Sequence, residues 1–484
     1  MRTISLLLTL ATVTCTVAAD ESDYYQVDPI PAPDGEVPEI SGIEILPDKT
    51  IAVATRRGDI FTITGAYDDD PSNVKWTPFA RGLHEPIGIA YKDGWLYATQ
   101  RPEVTRMKDT DGDGRADVFE TVNSDWGING DYHEYAFGSR HDRDGNIWVV
   151  LCLTGSFNPN SDFRGWGLRI TPEGEMIPTT SGIRSPGGIG SNHLGDHFYC
   201  DNQGIWNGSS SLKHLKIGGF CGVPNANKFY DLTDALGPRP AEPENKSRLH
   251  EQRERIPELV PPACVLPHGK MGQSPAGIEC DESAGKFGPF GNQLFVGEQT
   301  FSEVQRVYLE QVNGVYQGAC FKFRKGFGSG NIAVRFDNAN GTMFTGGTNR
   351  GWGARGGKTF ALDRVRWTGK TPFEVKQMNA RPDGFELTFT EPADPATAKD
   401  PASYRMEAYT YIYQSSYGSP EVDKTTPTIE SVTLSPDGLK ARLKIKGLVK
   451  GHVHQLHLDG VRSKSELSLL HPTAYYTLNE IPSR

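Results

Sequence analysis

Several features that define other protein classes are scarce in this chain. Beyond the first 19 residues, no segment is apolar over the roughly 18 residues that a membrane-spanning helix needs, which excludes a span in the mature chain. Helical periodicity is rare. The 60 acidic and 50 basic residues give a net charge of −10, and no basic stripe occurs, so nucleic acid is excluded as a partner. The absence of a Cys-x-x-Cys-His motif excludes a covalently attached haem.

The N-terminus has the pattern of a secretory signal peptide. Met1-Arg2 supplies a positive charge, residues 4–18 are uncharged and mostly apolar, and Val17-Ala18-Ala19 offers the small residues that cleavage before Asp20 requires. Lipidation of Cys15 is the alternative, but the residues before it form a poor lipobox. We therefore predict a signal peptide over residues 1–19 and a secreted or periplasmic protein.

Cysteine is sparse for an exported chain. Six cysteines remain after the signal peptide: Cys152, Cys200, Cys221, Cys264, Cys280 and Cys320. An even number permits disulfides, whose connectivity does not follow from the sequence. Buried free thiols are the alternative.

A repeated pattern of strand, polar or glycine-containing turn and strand runs through most of the chain. Its six copies begin near Ser41, Pro86, Tyr135, Pro186, Pro275 and Ile332. One copy cannot bury both faces of its sheet, and radial stacking around an axis solves that problem. After an N-terminal extension over residues 20–35, we predict a six-bladed β-propeller over residues 36–369. A β-sandwich with the same number of strands is the alternative.

The rhythm changes after Lys370. Alternating strands are predicted at 385–390, 429–434, 439–444 and 452–458, and the turn Pro-Asp-Gly occurs twice. Residues 370–484 therefore predict a small immunoglobulin-like β-sandwich. The fold class is all-β throughout.

The segment from Asp109 to Glu120 matches the twelve-residue calcium loop. Carboxylates repeat at alternate positions, and Gly114 permits the sharp turn. A solvated acidic loop is the alternative reading. Without helical flanks, the loop predicts a structural calcium site on a connection between strands, with these ligands: Asp109, Asp111, Asp113, Arg115 through its carbonyl, Asp117 and Glu120.

Two segments of the propeller carry a family resemblance. Tyr132-His133-Glu134-Tyr135-Ala136-Phe137-Gly138 resembles the blade of soluble quinoprotein sugar dehydrogenases that presents the catalytic histidine. Gly182-Ile183-Arg184-Ser185-Pro186-Gly187-Gly188 is similar to their Gly-x-Arg-Asn-Pro-x-Gly segment. The chain thus resembles the glucose/sorbosone dehydrogenase superfamily, and also a group of exported bacterial propeller proteins that are described as membrane-bound dehydrogenase-like.

The resemblance implies roles for individual residues. His133 would be the general base, which suits an imidazole because its pKa lies near working pH. Arg184 would stabilise charge on pyrroloquinoline quinone. Ser185, Gln203, Lys270 and Arg350 complete the implied cofactor site, with Lys270 and Arg350 replacing a lysine that the family has and this chain lacks. Taken alone, a loop histidine is more often a hydrogen-bonding residue, and Arg184 could equally cap backbone carbonyls.

The leading hypothesis is an exported oxidoreductase that oxidises a sugar or related polyol, with pyrroloquinoline quinone and calcium as cofactors and an exported electron acceptor as partner. The alternative from another class is a non-catalytic propeller that binds carbohydrate or another exported protein. A propeller hydrolase or lactonase is the third reading. Cations that converge beside His133 would favour the first.

Overall fold

A computed structural model describes residues 20–351 and 353–483. The predicted signal peptide, including Cys15, lies outside the described residues. Within the part of the chain that is described, no helix is both long and apolar enough to cross a membrane. The two α-helices found there are short, α1 (Leu249–Arg255) and α2 (Pro395–Ala398), as are 3₁₀ helices at Glu21–Asp23, Pro71–Asn73, Pro224–Leu232 and Pro401–Ser403.

Strands account for most of the regular structure, so the predicted all-β fold class is confirmed. Up to Trp367 they are β1 (Tyr25–Pro29), β2 (Ile40–Ile45), β3 (Ile51–Thr55), β4 (Ile60–Thr64), β5 (Lys75–Ala80), β6 (Ile89–Lys92), β7 (Trp95–Thr99), β8 (Val104–Lys108), β9 (Val118–Asn123), β10 (Ala136–His141), β11 (Ile147–Leu151), β12 (Gly167–Ile170), β13 (Met176–Ser181), β14 (Pro186–Ser191), β15 (His197–Asp201), β16 (Ser211–His214), β17 (Gly219–Phe220), β18 (Pro262–Val265), β19 (Pro275–Cys280), β20 (Leu294–Glu298), β21 (Glu303–Val312), β22 (Val315–Lys325), β23 (Ala333–Asp337), β24 (Thr342–Thr348) and β25 (Phe360–Trp367).

These strands form successive antiparallel sheets whose first strands meet around one axis. The sheets run β2 to β5, β6 to β9, β10 to β13 with β17 added in parallel, β14-β15-β16-β18, β19 to β22, and β23-β24-β25-β1. Each of the predicted strand pairs is present as the first two strands of one sheet. The first strands contact one another in cyclic order, β2, β6, β10, β14, β19, β23 and back to β2. The arrangement is propeller-like.

Glycines allow the first strands to approach each other closely at the axis. A Cβ on Gly88, where φ is +120°, would lie 2.1 Å from the carbonyl oxygen of Gly138 in the next sheet. A Cβ on Gly188 would lie 2.7 Å from the backbone of Ala276. No residue with a side chain fits at these positions without backbone movement.

The N-terminal segment closes the ring. Strand β1 pairs with β25, so Tyr25 lies opposite Trp367 and Val27 opposite Val365. The ring of Tyr25 is buried against Phe287 and Phe323. Residues 20–35, predicted as an extension, therefore contribute a strand to the last sheet. The predicted propeller starts after this strand, because the partner of β1 lies more than three hundred residues away in the sequence.

The C-terminal region contains two sheets around a shared apolar core. Its strands are β26 (Val375–Arg381), β27 (Gly384–Phe389), β28 (Arg405–Tyr411), β29 (Glu421–Thr425), β30 (Thr428–Leu434), β31 (Lys440–Lys446), β32 (His452–His457) and β33 (Thr473–Leu478). One sheet is β26-β27-β31-β30. The other, β29-β28-β32-β33, continues onto β22, because Cys320 pairs with Tyr475. The sheet therefore runs across the predicted boundary at residue 370, and the immunoglobulin-like assignment stays a prediction.

All six cysteines predicted in the mature chain are described, and each is a free, buried thiol in the structure. Burial raises the pKa of Cys152 and of Cys221 to about 11. These thiols are packing residues here, the second of the two readings that the sequence allowed.

Candidate active site

The predicted site residues lie at one end of the ring. His133 comes just before β10 and Arg184 just before β14, whereas Gln203 follows β15 and Arg350 follows β24. Because the first two strands of each sheet are antiparallel, the start of the first strand and the end of the second lie at the same end of the sheet. We call this end, with its connections around His133, Arg184, Gln203 and Arg350, the His133 rim.

His133 is held in a tight turn by Asp131. One oxygen of Asp131, Oδ1, accepts the backbone N–H groups of His133 at 2.8 Å and Gly155 at 2.9 Å, and lies 4.0 Å from Nδ1 of the imidazole. The side chain is half exposed, at 49%. Burial lowers the pKa of His133, Asp131 opposes that change, and the charges of Arg184 and Arg101 lower the pKa further. The lowered pKa favours the neutral imidazole, which is the form that can accept a proton.

Arg184 lies among aromatic rings close to His133. Its Nη1 donates to the carbonyl of Gln203 at 3.0 Å. The guanidinium lies 5.8 Å from the ring centre of Phe157 and 5.0 Å from that of Tyr417. Both residues lie on the His133 rim, and the positive charge of Arg184 lowers the pKa of His133.

Arginines that the sequence analysis did not single out extend the site. Arg101 donates to the carbonyls of Asp131 at 3.2 Å and Tyr132 at 2.9 Å, and bonds to Glu85. Glu85 also bonds to Arg56. Arg101 thus fixes the turn that presents His133. It follows β7 in an ordinary turn sequence, Gln-Arg-Pro, which carries no recognisable signal.

A buried carboxylate gathers further cations on the rim. Glu39, whose side chain is 2% exposed, lies 3.3 Å from Arg56, 3.7 Å from Arg57 and 3.5 Å from Arg350. The network from Arg350 through Glu39 and Arg56 to Glu85 and Arg101 spans three sheets. Of these arginines, Arg57 and Arg350 keep about half or more of their side chains exposed, and guanidinium groups suit carboxylate ligands.

Lys270, which the resemblance places among the residues that hold the quinone, has other partners. Its Nζ lies 2.6 Å from Glu421 on β29 and 3.0 Å from Oε1 of Gln455 on β32. The C-terminal sheet thus neutralises this lysine, which corrects the expectation that it is available as a clamp. Of the two cations expected to replace the family's lysine, Lys270 and Arg350, only Arg350 keeps an exposed side chain, at 57%.

Ser185 and Gln203 brace the turns around Arg184. The N–H of Ser185 donates to Oδ1 of Asp201 at 2.8 Å, and its carbonyl accepts the N–H of Asn202 at 3.0 Å. Nε2 of Gln203 donates to the carbonyl of Gly208 at 3.1 Å. Both residues hold the shape of the rim, and their side chains show no contact with His133 in the described structure.

The other end of the ring is closed by an ion network. Near the ends of the first strands, Arg335 bonds to Glu44 at 2.7 Å and to Glu279 at 3.0 Å, and Arg140 bonds to Glu279 at 2.9 Å. A cavity between the first strands reaches Arg140. Charged side chains therefore occupy the axis of the ring at this end. The exposed functional groups described above lie at the other end, on the His133 rim.

The predicted calcium loop joins β8 to β9 at the end opposite the His133 rim. Carboxylate oxygens of Asp109, Asp111 and Asp117 all lie within 4.8 Å of one another. Asp109 accepts the N–H groups of Gly112 at 2.7 Å and Gly114 at 2.9 Å. The other predicted ligands are engaged differently. Asp113 accepts the N–H of Arg115 at 2.8 Å, and Glu120 is paired with Arg106 at 2.6 Å across the strands.

Comparison with solved structures finds similar folds at low sequence identity. A PQQ-bound aldose sugar dehydrogenase from Streptomyces coelicolor has a TM-score of 0.51 and 15% identity over 71% of this chain and 98% of that chain. A candidate oxidoreductase (glucose dehydrogenase) from Thermus thermophilus has a TM-score of 0.51 and 17% identity over 70% and 99%. A Trichoderma reesei carbohydrate-active enzyme of family AA12 has a TM-score of 0.50 and 13% identity over 75% and 100%.

The resemblance to the glucose/sorbosone dehydrogenase superfamily is therefore confirmed at the level of the fold, which is all-β and propeller-like. A family profile described as a domain of unknown function, DUF7133, matches residues 53–240. No curated protein matches the sequence. The neighbouring structures are covered almost completely, whereas 25–30% of this chain has no counterpart in the three that are compared.

Proposed function

We propose that this chain is an exported oxidoreductase that oxidises a sugar or related alcohol with pyrroloquinoline quinone. The observation that carries the proposal is the His133 rim, where an imidazole with a lowered pKa shares one end of the ring with Arg184 and Arg350. The fold shared with a PQQ-bound sugar dehydrogenase supports it. We also propose that the sheets between residues 20 and 369 are six blades of one propeller, followed by an immunoglobulin-like sandwich.

The residues fit the quinone by charge. Bound there, the quinone supplies an acceptor for hydride. Arg184 and Arg350 would hold its carboxylates, because charged hydrogen bonds are the strong ones in a partly desolvated site. His133 accepts the proton of the substrate hydroxyl at Nε2, since Nδ1 faces Asp131 and Gly155. Asp131 and Arg101 fix the turn, so the imidazole keeps its orientation during the transfer.

Calcium is proposed as a structural cofactor of the Asp109–Glu120 loop. Asp109, Asp111 and Asp117 supply the converging oxygens. The loop lies at the far end from His133, so its part is to tie down a connection between strands.

Quinone binding tests the proposal. Titration of the mature protein with pyrroloquinoline quinone, followed by tryptophan fluorescence, should give saturable binding at micromolar concentration. Arg184→Ala should weaken it at least tenfold, because a hydrogen bond to a charged group contributes about 1.5–3 kcal/mol. Arg143→Ala is the matched control, since Arg143 is exposed in the turn after β10 at the other end of the ring. Absence of saturation, or equal affinity in both variants, would reject the quinone site.

The second candidate is a non-catalytic propeller that binds carbohydrate or another exported protein. The pairing of Lys270 with Glu421 favours it, because one of the two expected substitute cations is already neutralised. Sugar binding without quinone binding in the same titration would select this function.

A further inference from the structure

A loop from the C-terminal region forms part of the His133 rim. The loop comprises residues 412–420, between β28 and β29, and lies on the turn that follows β15. Backbone bonds fix it there: Trp206 N to Gln414 O at 2.6 Å, Gly418 N to Gly204 O at 2.9 Å and Ser419 N to Gly208 O at 3.1 Å. The site therefore has a wall that is not part of the six sheets.

Tyr417 at the tip of this loop is an exposed aromatic residue. Its ring contacts the guanidinium of Arg184 at 5.0 Å, yet 59% of the residue stays accessible. Gly204 makes room for this arrangement, because a Cβ there would lie 2.3 Å from Nε of Arg184. The backbone of the loop is bonded on both sides of Tyr417, so the position from which the ring extends is fixed.

A second exposed tyrosine lies beside His133. Tyr132 is 61% exposed, and its ring stands edge-on to the imidazole with the centroids 5.1 Å apart. A Cβ on Gly351 would come within 3.6 Å of the hydroxyl oxygen of Tyr132, so the connection after β24 borders it. The rim thus carries two exposed aromatic side chains, one beside the proposed base and one beside Arg184.

Two exposed aromatic rings around a polar floor suit a ligand that is polar at its edges and apolar on its faces. A sugar ring has this character, because its axial C–H bonds form an apolar face and its hydroxyls point outwards. If each aromatic ring stacks on one sugar unit, the ligand contains at least two sugar units.

We propose that Tyr417 is a specificity-determining residue that stacks on the second sugar unit of an oligosaccharide whose first unit lies on Tyr132 beside His133. The proposal rests on the proposed function only for the location of the reacting unit. The C-terminal loop would then set the preference for oligosaccharides over monosaccharides.

Calorimetric titration of the full mature protein with maltose, cellobiose and glucose, in the absence of quinone, tests the proposal. Wild type should bind at least one disaccharide more tightly than glucose. Tyr417→Ala should weaken that binding about tenfold and leave glucose unchanged, as expected for the loss of one aromatic contact. Tyr417→Phe should behave as wild type, because stacking needs the ring and not the hydroxyl. Leu194→Ala is the control, since Leu194 is 54% exposed in a turn at the other end of the ring.

Equal disaccharide affinities for wild type and Tyr417→Ala, or no preference over glucose in wild type, would overturn the inference. Failure of the proposed function is seen separately. If quinone does not bind but disaccharide binding depends on Tyr417, the dehydrogenase is rejected and the subsite stands. If quinone binds and sugars are oxidised with the same preference in Tyr417→Ala, the subsite is rejected and the dehydrogenase stands.

Discussion

A buried histidine joins the two ends of the chain and makes stability depend on pH. His471 donates to Glu374 through Nδ1 at 2.5 Å and to Glu21 through Nε2 at 3.0 Å. Burial alone lowers the pKa of His471, but Glu374 and Glu21 outweigh it and raise the pKa to about 9. Glu21 also accepts the N–H of Lys325 at 2.7 Å. The imidazolium therefore anchors the segment just before β1 to the C-terminal region.

The direction of the pH effect follows from the raised pKa. The stabilisation is fully present below about 6.5, the pKa of an unfolded histidine, and is lost as the pH rises through about 9. A rise from 6.5 to about 9 corresponds to roughly 3 kcal/mol. The unfolding entropy of a chain of 484 residues is roughly 1 kcal/mol per kelvin, so the melting temperature should fall by about 3 °C between pH 6 and pH 9.5.

Thermal unfolding of the mature protein and of His471→Gln across this pH range measures the effect. At pH 6 the variant should be less stable than wild type by the roughly 3–5 kcal/mol that an unpaired buried charge costs, so it should melt at a lower temperature. Its melting temperature should also lose this component of the pH dependence. His193→Gln is the control, because His193 is exposed in the turn between β14 and β15. A variant with the same pH dependence as wild type would refute the reasoning.

Other predictions concern the loop, the axis and the shared sheet. Chelation should lower the melting temperature if calcium occupies the Asp109–Glu120 loop, and Asp111→Ala should abolish the difference; a melt unaffected by chelator speaks against the site. Gly88→Ala should cost about 3 kcal/mol or more, because its backbone is left-handed and the new Cβ would meet Gly138, whereas Gly82→Ala meets no atom within 4 Å and should cost less; equal melting temperatures would contradict this. Proteolytic nicking near residue 370 should leave the two pieces associated on gel filtration, because β33 pairs with β22, and separate elution would show that the shared sheet does not hold them.

The strands were the most predictable part of the molecule. Alternating apolar residues and turn signals located each first pair of strands, because these patterns are local and the strands are short. The role of β1 was not predictable in the same way. Its five residues pair with β25, more than three hundred residues later, and a strand this short carries too little pattern to reveal a distant partner. The same holds for β33 on β22.

The site was predictable where it resembled a family and unpredictable where it depends on packing. The segments around His133 and Arg184 carry local sequence patterns, and both residues lie at the same end of the ring. The arginine network around Glu39 and the loop of Tyr417 consist of residues far apart in sequence, with no motif of their own. Lys270 shows the limit of analogy, because its partner Glu421 lies on β29, far from it in the sequence.

Dye-coupled oxidation of sugars by the quinone-reconstituted protein tests the central claim most directly, with His133→Ala beside wild type and His193→Ala as control. The account predicts that wild type is active and that His133→Ala loses about 10² to 10⁴ in rate while still binding quinone, which is the usual share of a general base. Equal rates in His133→Ala and wild type, or an inactive wild type that holds bound quinone, would contradict it.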